Sequence, residues 1–205
     1  MPLHVTAYCK IDKDGALLND QEIQVATDGH SFYDYSRALY HNLDLKYPKF
    51  FKMDELCQLA FLATSVLLGQ EGNIDGDKTA LVLGNRESSL LSDQRHYKAI
   101  HDRENYFPSP AVFVYTLPNI MLGEICIKYK ITGENSCFMM EQMDTGFLHS
   151  YVSHLMDIEG YEHCITGFVN YGETDYMAEL YLIERSQSHA LKDGWSFDED
   201  FNQKN

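Results

Sequence analysis

The chain has 205 residues, and 44% of them are hydrophobic, which suits one domain with a substantial core. Its 31 acidic residues outnumber 16 basic ones, and the formal charge of −15 disfavours binding to nucleic acid or to anionic membranes. Five cysteines without a CxxC pair, no signal-peptide pattern and no apolar run of membrane-spanning length predict a reduced, cytoplasmic protein.

The first half of the chain is predicted to form a hairpin, two helices and a buried strand. Residues 4–11 have strand composition, and residues 17–27 could return as a second arm after an Asp-Lys-Asp-Gly turn. Ser31 and Asp54 stand where N-caps of two helices are expected. Residues 79–84 form an unbroken apolar run, which is typical of a strand buried on both faces in a parallel sheet.

Helices and strands continue to alternate in the second half, which predicts an α/β fold. We expect a single three-layer α-β-α domain over residues 1–185, with a mixed and mostly parallel sheet, and a loose polar tail over residues 186–205. The predicted elements are a polar helix or irregular crossing at 89–104, a loop at 106–111, a helix at 116–133 with Pro118 in its first turn, a strand at 135–141, an amphipathic helix after a turn at 144–146, and strands at 164–169 and 177–183.

The turn that follows the strand at 135–141 is the most informative feature. A strand, a sharp turn and a helix are how many enzymes present a nucleophile, but no Ser, Thr or Cys stands at the expected position. Cys137 is the nearest thiol, and its place inside the strand favours apolar packing over a nucleophilic role. Glu141 and Asp144 flank the turn as a possible acid–base pair, although helix capping is the favoured interpretation.

Metal-ligand patterns are weak in this sequence. His149 and His154 are five residues apart, so they lie on different faces of the predicted helix instead of sharing a metal. The Asp75-Gly-Asp77 sequence lacks the remaining ligands of a calcium loop and is interpreted as a turn. We therefore expect no metal and no cofactor.

The order of features from residue 59 to about residue 185 resembles the N-terminal half of a β-ketoacyl-(acyl carrier protein) synthase, a condensing enzyme with a thiolase-like fold. The most specific stretch is SPAVFVYTLPNIMLGEICIKYKITGENS at residues 109–136. Counted forward from Gly133, the family's active cysteine position falls on Gln142. Counted back from Gly146, it falls on Met143. Neither is a thiol, and a glutamine here resembles the chain-length-factor subunits of polyketide systems.

The resemblance implies a catalytically deficient subunit, because the active cysteine and both histidines of the family's C-terminal half have no counterpart. It would act as a scaffold or partner in fatty acid, polyketide or aryl polyene-type biosynthesis. It would form a homo-oligomer or a complex with an active ketosynthase, and acyl carrier protein is a possible partner. The elbow and cleft candidates around the nucleophile-equivalent position are Glu141, Asp144, Thr145, Gly146 and Asn119.

Two alternatives stay open at this stage. The chain could be an enzyme that uses a partner's histidines for acyl transfer or malonyl decarboxylation, or it could bind an acyl chain or another small molecule. Two surfaces are candidates for contact with a partner. One is the strand at residues 135–140, because the family pairs this strand across its subunit interface. The other is the apolar helix face formed by Phe147, Leu148, Tyr151, Val152, Leu155 and Met156, which either local segments such as the N-terminal hairpin or another subunit would cover.

Overall fold

The computed structural model of the protein describes residues 3–26, 31–69, 72, 74–185 and 201. These residues form seven strands and six α-helices. The strands are β1 (His4–Asp12), β2 (Gly15–Leu18), β3 (Gln21–Ile23), β4 (Thr79–Asn85), β5 (Asn135–Met139), β6 (His163–Tyr171) and β7 (Tyr176–Glu184). The helices are α1 (Phe32–Asn42), α2 (Glu55–Leu68), α3 (Leu90–Ile100), α4 (Pro110–Val114), α5 (Ile120–Tyr129) and α6 (Thr145–Asp157).

All seven strands belong to one sheet with the order β3-β2-β1-β7-β6-β4-β5. The mixed α/β architecture is confirmed, but the pairing differs from the mostly parallel arrangement expected from the sequence. Strand β4 pairs in parallel with β5 and with β6, and the other four pairings in the sheet are antiparallel. The connection between β6 and β7 is too short for a parallel crossover. An unbroken apolar run in the sequence indicates a strand that is buried on both faces of the sheet, but it does not show the direction of that strand.

The first face of the sheet is covered by α1, α2 and α5. Helix α2 lies at its centre and packs against β1, β6, β7 and the other two helices. Its side chains are buried almost all round the helix, and Leu59, Phe61 and Leu62 have no exposed surface. The Asp54 carboxylate caps this helix by accepting a hydrogen bond from the Cys57 N–H at 2.9 Å, as the sequence predicted.

The second face of the sheet is covered in part by α6, which packs on β4 and β6. Leu148, Val152 and Met156 are fully buried there, and Leu155 is 5% exposed. The sequence left open whether local segments or another subunit would cover this helix face, and the chain's own sheet covers these residues. The aromatic rings at the edge of the face remain accessible, with Phe147 39% exposed.

The two antiparallel strands β6 and β7 approach closely at Gly167. This glycine has φ +146°, and a Cβ placed on it would lie 2.0 Å from the carbonyl oxygen of Glu179. A side chain at this position would force the two backbones apart. Gly167 therefore fixes the spacing of the central part of the sheet.

Several boundaries differ from the sequence predictions. The helix expected over residues 116–133 begins only at Ile120, after Pro118, and Lys130 in the left-handed conformation ends it. The predicted loop at residues 106–111 runs into α4, which Ser109 caps through the Val112 N–H. The second arm of the N-terminal hairpin is divided into β2 and β3.

Other predictions agree with the structure. Ser31 caps α1 by accepting a hydrogen bond from the Asp34 N–H, and the Asp75 carboxylate accepts one from the Asp77 N–H in a short 3-10 turn. The predicted tail at residues 186–205 lies outside the described residues except for Phe201, which is buried. Among the described helices, none has the length and apolar character needed to cross a membrane.

Candidate functional site

The candidate site is the elbow between β5 and α6, at the carboxyl ends of the parallel strands. Strand β5 ends at Met139 and α6 begins at Thr145, so Gln142 lies in the connecting turn, where its side chain is exposed. Carboxyl ends of parallel strands are where open α/β sheets commonly bind ligands. The turn expected at residues 144–146 lies earlier, at residues 140–144, because α6 already begins at Thr145, and the Gln142 side chain is exposed in this turn.

The start of the elbow is held by Met140. Its N–H donates to the carbonyl of Asn85 at 2.9 Å, at the end of the neighbouring strand β4. Its side chain lies against Gly84, where an added Cβ would be 2.6 Å from the Met140 sulfur. Asn85 is itself buried and donates from Nδ2 to the Val169 carbonyl at 2.7 Å. The elbow is thus anchored to β4 and through it to β6.

The end of the elbow is held by helix capping. The Asp144 carboxylate accepts a hydrogen bond from the Phe147 N–H at 2.9 Å. This contact satisfies one of the unpaired donors of the first turn and places negative charge at the positive end of the helix. The capping interpretation of Asp144 agrees with the geometry, whereas the Glu141 side chain points into solvent.

An open cavity of about 450 Å³ lies at the elbow and is lined by Met140, Glu141, Gln142 and Asp144. Of the other candidates, Thr145 is buried, and its hydroxyl has no hydrogen-bond partner among the described residues. The Gly146 carbonyl accepts from Ser150 within α6.

Asn119 is not brought to this cavity. It is exposed and precedes α5, where its carbonyl accepts hydrogen bonds from the N–H groups of Leu122 and Gly123. The cleft role that the family resemblance implied for Asn119 therefore has no geometric support in the described part of the chain. Sequence order alone could not place this residue, because the distance between α5 and the elbow depends on how the helix packs.

Thiol chemistry at the elbow is disfavoured by the position and environment of the cysteines. Cys137 is half-buried in β5, and burial raises the pKa of its thiol to about 11. Burial also raises the thiol pKa of Cys9, Cys57, Cys126 and Cys164 above the ordinary value. At neutral pH these sulfurs are protonated and poorly nucleophilic. Cys137 is therefore a packing residue in this structure.

The two histidines of α6 belong to no group of candidate metal ligands among the described residues. The His154 Nε2 atom lies 3.7 Å from the Glu159 carboxylate, and His149 lies five residues earlier on the helix. Within residues 3–185, apart from the short undescribed gaps, no group of three or more His, Cys, Asp or Glu side chains is arranged to hold a metal ion.

One feature of the elbow was not predicted from the sequence. Three aromatic rings form a cluster beside it: the Phe138 ring makes edge contacts with Phe147 at 4.8 Å and with Tyr151 at 5.1 Å between centroids. Met139, the neighbour of Phe138 in β5, is 51% exposed. The alternation of side chains in a strand would have placed Phe138 and Met139 on opposite faces, but only the position of α6 identifies Phe138 as the one that meets the helix.

The fold of this chain is similar to that of solved ketosynthase and chain length factor structures. No family model and no curated protein matches the sequence, so the relationship is carried by structure.

Three solved structures are similar to this chain. The ishigamide ketosynthase/chain length factor has a TM-score of 0.65 at 13% identity, over 92% of this chain and 63% of that one. The type II PKS acyl-carrier protein in complex with its ketosynthase bound to the hexaketide (AntDE:AntF) has a TM-score of 0.61 at 12% identity. The match covers 89% of this chain and 62% of that one. The ketosynthase ApeO in complex with its chain length factor ApeC, from Xenorhabdus doucetiae, has a TM-score of 0.56 at 17% identity. The match covers 91% of this chain and 80% of that one.

These likenesses establish the fold of the chain. At identities of 12–17% they do not transfer substrates or site residues. The chain also spans less than two thirds of the length of the first two matched chains.

Proposed function

We propose that this chain is a ketosynthase-like subunit without an acyl-accepting thiol, and that it works beside an active ketosynthase in fatty acid, polyketide or aryl polyene-type biosynthesis. The observation that carries the proposal is the residue at the elbow. Condensation needs a thiolate to hold the acyl group, and the turn that the family resemblance matches to the active cysteine holds Gln142 and Met143 but no thiol. The amide nitrogen is not nucleophilic, but the side chain can donate and accept hydrogen bonds.

The cysteines support the same proposal. Cys137, the thiol nearest to the elbow in sequence, is protonated at neutral pH because burial raises its pKa. The elbow cavity is lined by a carboxamide, two carboxylates and a thioether, and none of these groups can form a thioester. What these groups can do is orient a bound acyl thioester or shape a surface next to a partner's active site.

The terminal strand β5 is the surface that we propose for the ketosynthase. It pairs only with β4 among the described strands, so its other edge offers backbone donors and acceptors to an added strand. The Met140 N–H points to β4, and consecutive N–H groups alternate in direction, so the Met139 N–H points to the outer edge. The exposed side chains of Met139 and Phe147 add apolar surface beside this edge.

A second apolar surface surrounds α4. Its exposed side chains are Phe107 (72%), Phe113 (55%), Val114 (43%) and Leu117 (49%). Several large apolar side chains exposed near one short helix are typical of a protein interface. Direct contact with acyl carrier protein is the weaker part of the proposal, because such carriers are acidic and this chain has a net charge of −15.

The test is co-purification of the tagged chain with a ketosynthase from the same organism. The wild-type chain and Met139→Ala are expected to retain the partner. Met139→Pro is expected to lose it, because proline removes the outward N–H without removing a hydrogen bond to β4. A monomer that binds neither a ketosynthase nor a carrier protein would contradict the proposal. Equal retention by Met139→Pro would contradict the β5 surface alone.

A further inference from the structure

Helix α6 does not cover the whole second face of the sheet. Helix α6 packs on β4 and β6, whereas β1 and β7 present Tyr8 and Tyr181 on the same face, with ring centroids 5.0 Å apart. Phe201 lies here. It is fully buried, and its ring meets Tyr181 edge-on at 4.9 Å.

The burial of Phe201 is unusual for its position in the sequence. It directly follows Asp198, Glu199 and Asp200. Acidic neighbours in the sequence predict solvent exposure, whereas the Phe201 side chain is buried. Burying a phenylalanine removes about 150–250 Å² of apolar surface from water, and an edge-on aromatic pair adds to that attraction.

The receiving surface is suited to an aromatic ring. Tyr181 is fully buried, Tyr8 is 8% exposed, and the aliphatic side chains of Leu3, Val5 and Ile183 belong to the same cluster. Removing Phe201 would open the Tyr181 ring and its neighbours to water, which leaves an apolar patch on the face of the sheet.

We propose that the surface around Tyr8 and Tyr181 is a docking site for the chain's own C-terminal segment, with Phe201 as the anchoring side chain. The anchor closes this face of the sheet within a single chain, so no second subunit is needed there. This inference is independent of the proposed function, because it concerns β1 and β7 and not the elbow or β5.

The first test uses the full chain with Phe201→Ala. Loss of a fully buried phenylalanine is expected to lower the melting temperature by about 6–15 °C. Trp195 is the only tryptophan and lies six residues before Phe201, so acrylamide quenching of its fluorescence is expected to rise when the anchor is lost. Phe107→Ala is the matched control, because Phe107 is 72% exposed, and it should change neither value appreciably.

The second test is rescue in trans. A synthetic peptide of residues 191–205 is expected to bind the Phe201→Ala chain and to raise its melting temperature, whereas the same peptide carrying Phe201→Ala is not. If Phe201→Ala fails to fold, Phe201→Leu keeps most of the apolar volume, and it should fold with intermediate Trp195 quenching. Equal binding of the two peptides to the Phe201→Leu chain would overturn the anchor.

Two other outcomes would overturn the proposal. One is a Phe201→Ala chain with unchanged melting temperature and unchanged Trp195 quenching. The other is a wild-type dimer that Phe201→Ala converts to a monomer, because Phe201 would then dock on a second copy and not on its own chain.

Discussion

Replacement of Leu148 by alanine tests whether α6 is covered by its own sheet. Leu148 has no exposed surface and belongs to the core cluster that α6 forms with β4 and β6. Removal of a fully buried leucine side chain leaves a cavity and costs about 3 kcal/mol of unfolding free energy. For a chain of 205 residues, that corresponds to a melting temperature lower by about 6–12 °C.

The assay is urea unfolding together with thermal melting over a twenty-fold range of protein concentration. Ile158→Ala is the matched control, since it deletes the same number of carbons from a side chain that is 71% exposed at the end of α6. Its expected cost is below about 0.5 kcal/mol.

The concentration series separates the two ways in which the face could be covered. If the sheet of the same chain covers Leu148, the loss in Leu148→Ala is the same at every concentration. A loss that disappears at high concentration, or an effect no larger than that of Ile158→Ala, would refute the reasoning, because a second subunit would then be covering the face.

Three further predictions concern single groups. Burial raises the Cys137 pKa to about 11 from the ordinary 9.0, so iodoacetamide should alkylate this thiol about 100-fold more slowly than a free cysteine in a peptide. Alkylation at the rate of the free cysteine would contradict the packing role of Cys137. Asp144→Ala should cost about 1 kcal/mol in urea unfolding through loss of the α6 cap, and Asp144→Asn only a few tenths; equal losses would exclude capping. Burial acts to raise the pKa of Glu55, but two hydrogen bonds from Arg95 outweigh it and hold that pKa below 4.5. This stabilisation is present above pH 4.5 and is lost as the pH falls through the lowered pKa. The difference in unfolding free energy between wild type and Glu55→Gln should therefore shrink from pH 6 to pH 3. A difference that widens would contradict the pairing of Glu55 with Arg95.

Local signals in the sequence predicted the elements well. Capping residues such as Ser31 and Asp54 act through bonds to the next few residues, so their roles follow from spacing alone. The elbow at Gln142 follows in the same way from the change between strand and helix periodicity.

Long-range features were harder to predict. The direction of β7 depends on the short connection after β6 and on pairing with β1, which begins about 170 residues earlier. The burial of Phe201 depends on contact with Tyr181, and the acidic residues around it predict solvent exposure. Both features are set by tertiary packing, which overrides local composition.

The features of the candidate site also differ in whether local contacts or tertiary packing sets them. The capping role of Asp144 is local and was predicted, whereas the separation of Asn119 from the elbow cavity depends on how α5 packs. The aromatic cluster of Phe138, Phe147 and Tyr151 likewise exists only because α6 folds back over β5.

The most direct test of the proposed role is an acyl-elongation assay with a ketosynthase from the same organism. We expect no elongation by this chain alone, and a change in the rate or product length when wild type or Met139→Ala is added to the ketosynthase, but no change with Met139→Pro. Elongation of an acyl thioester by the purified, partner-free chain would contradict the account.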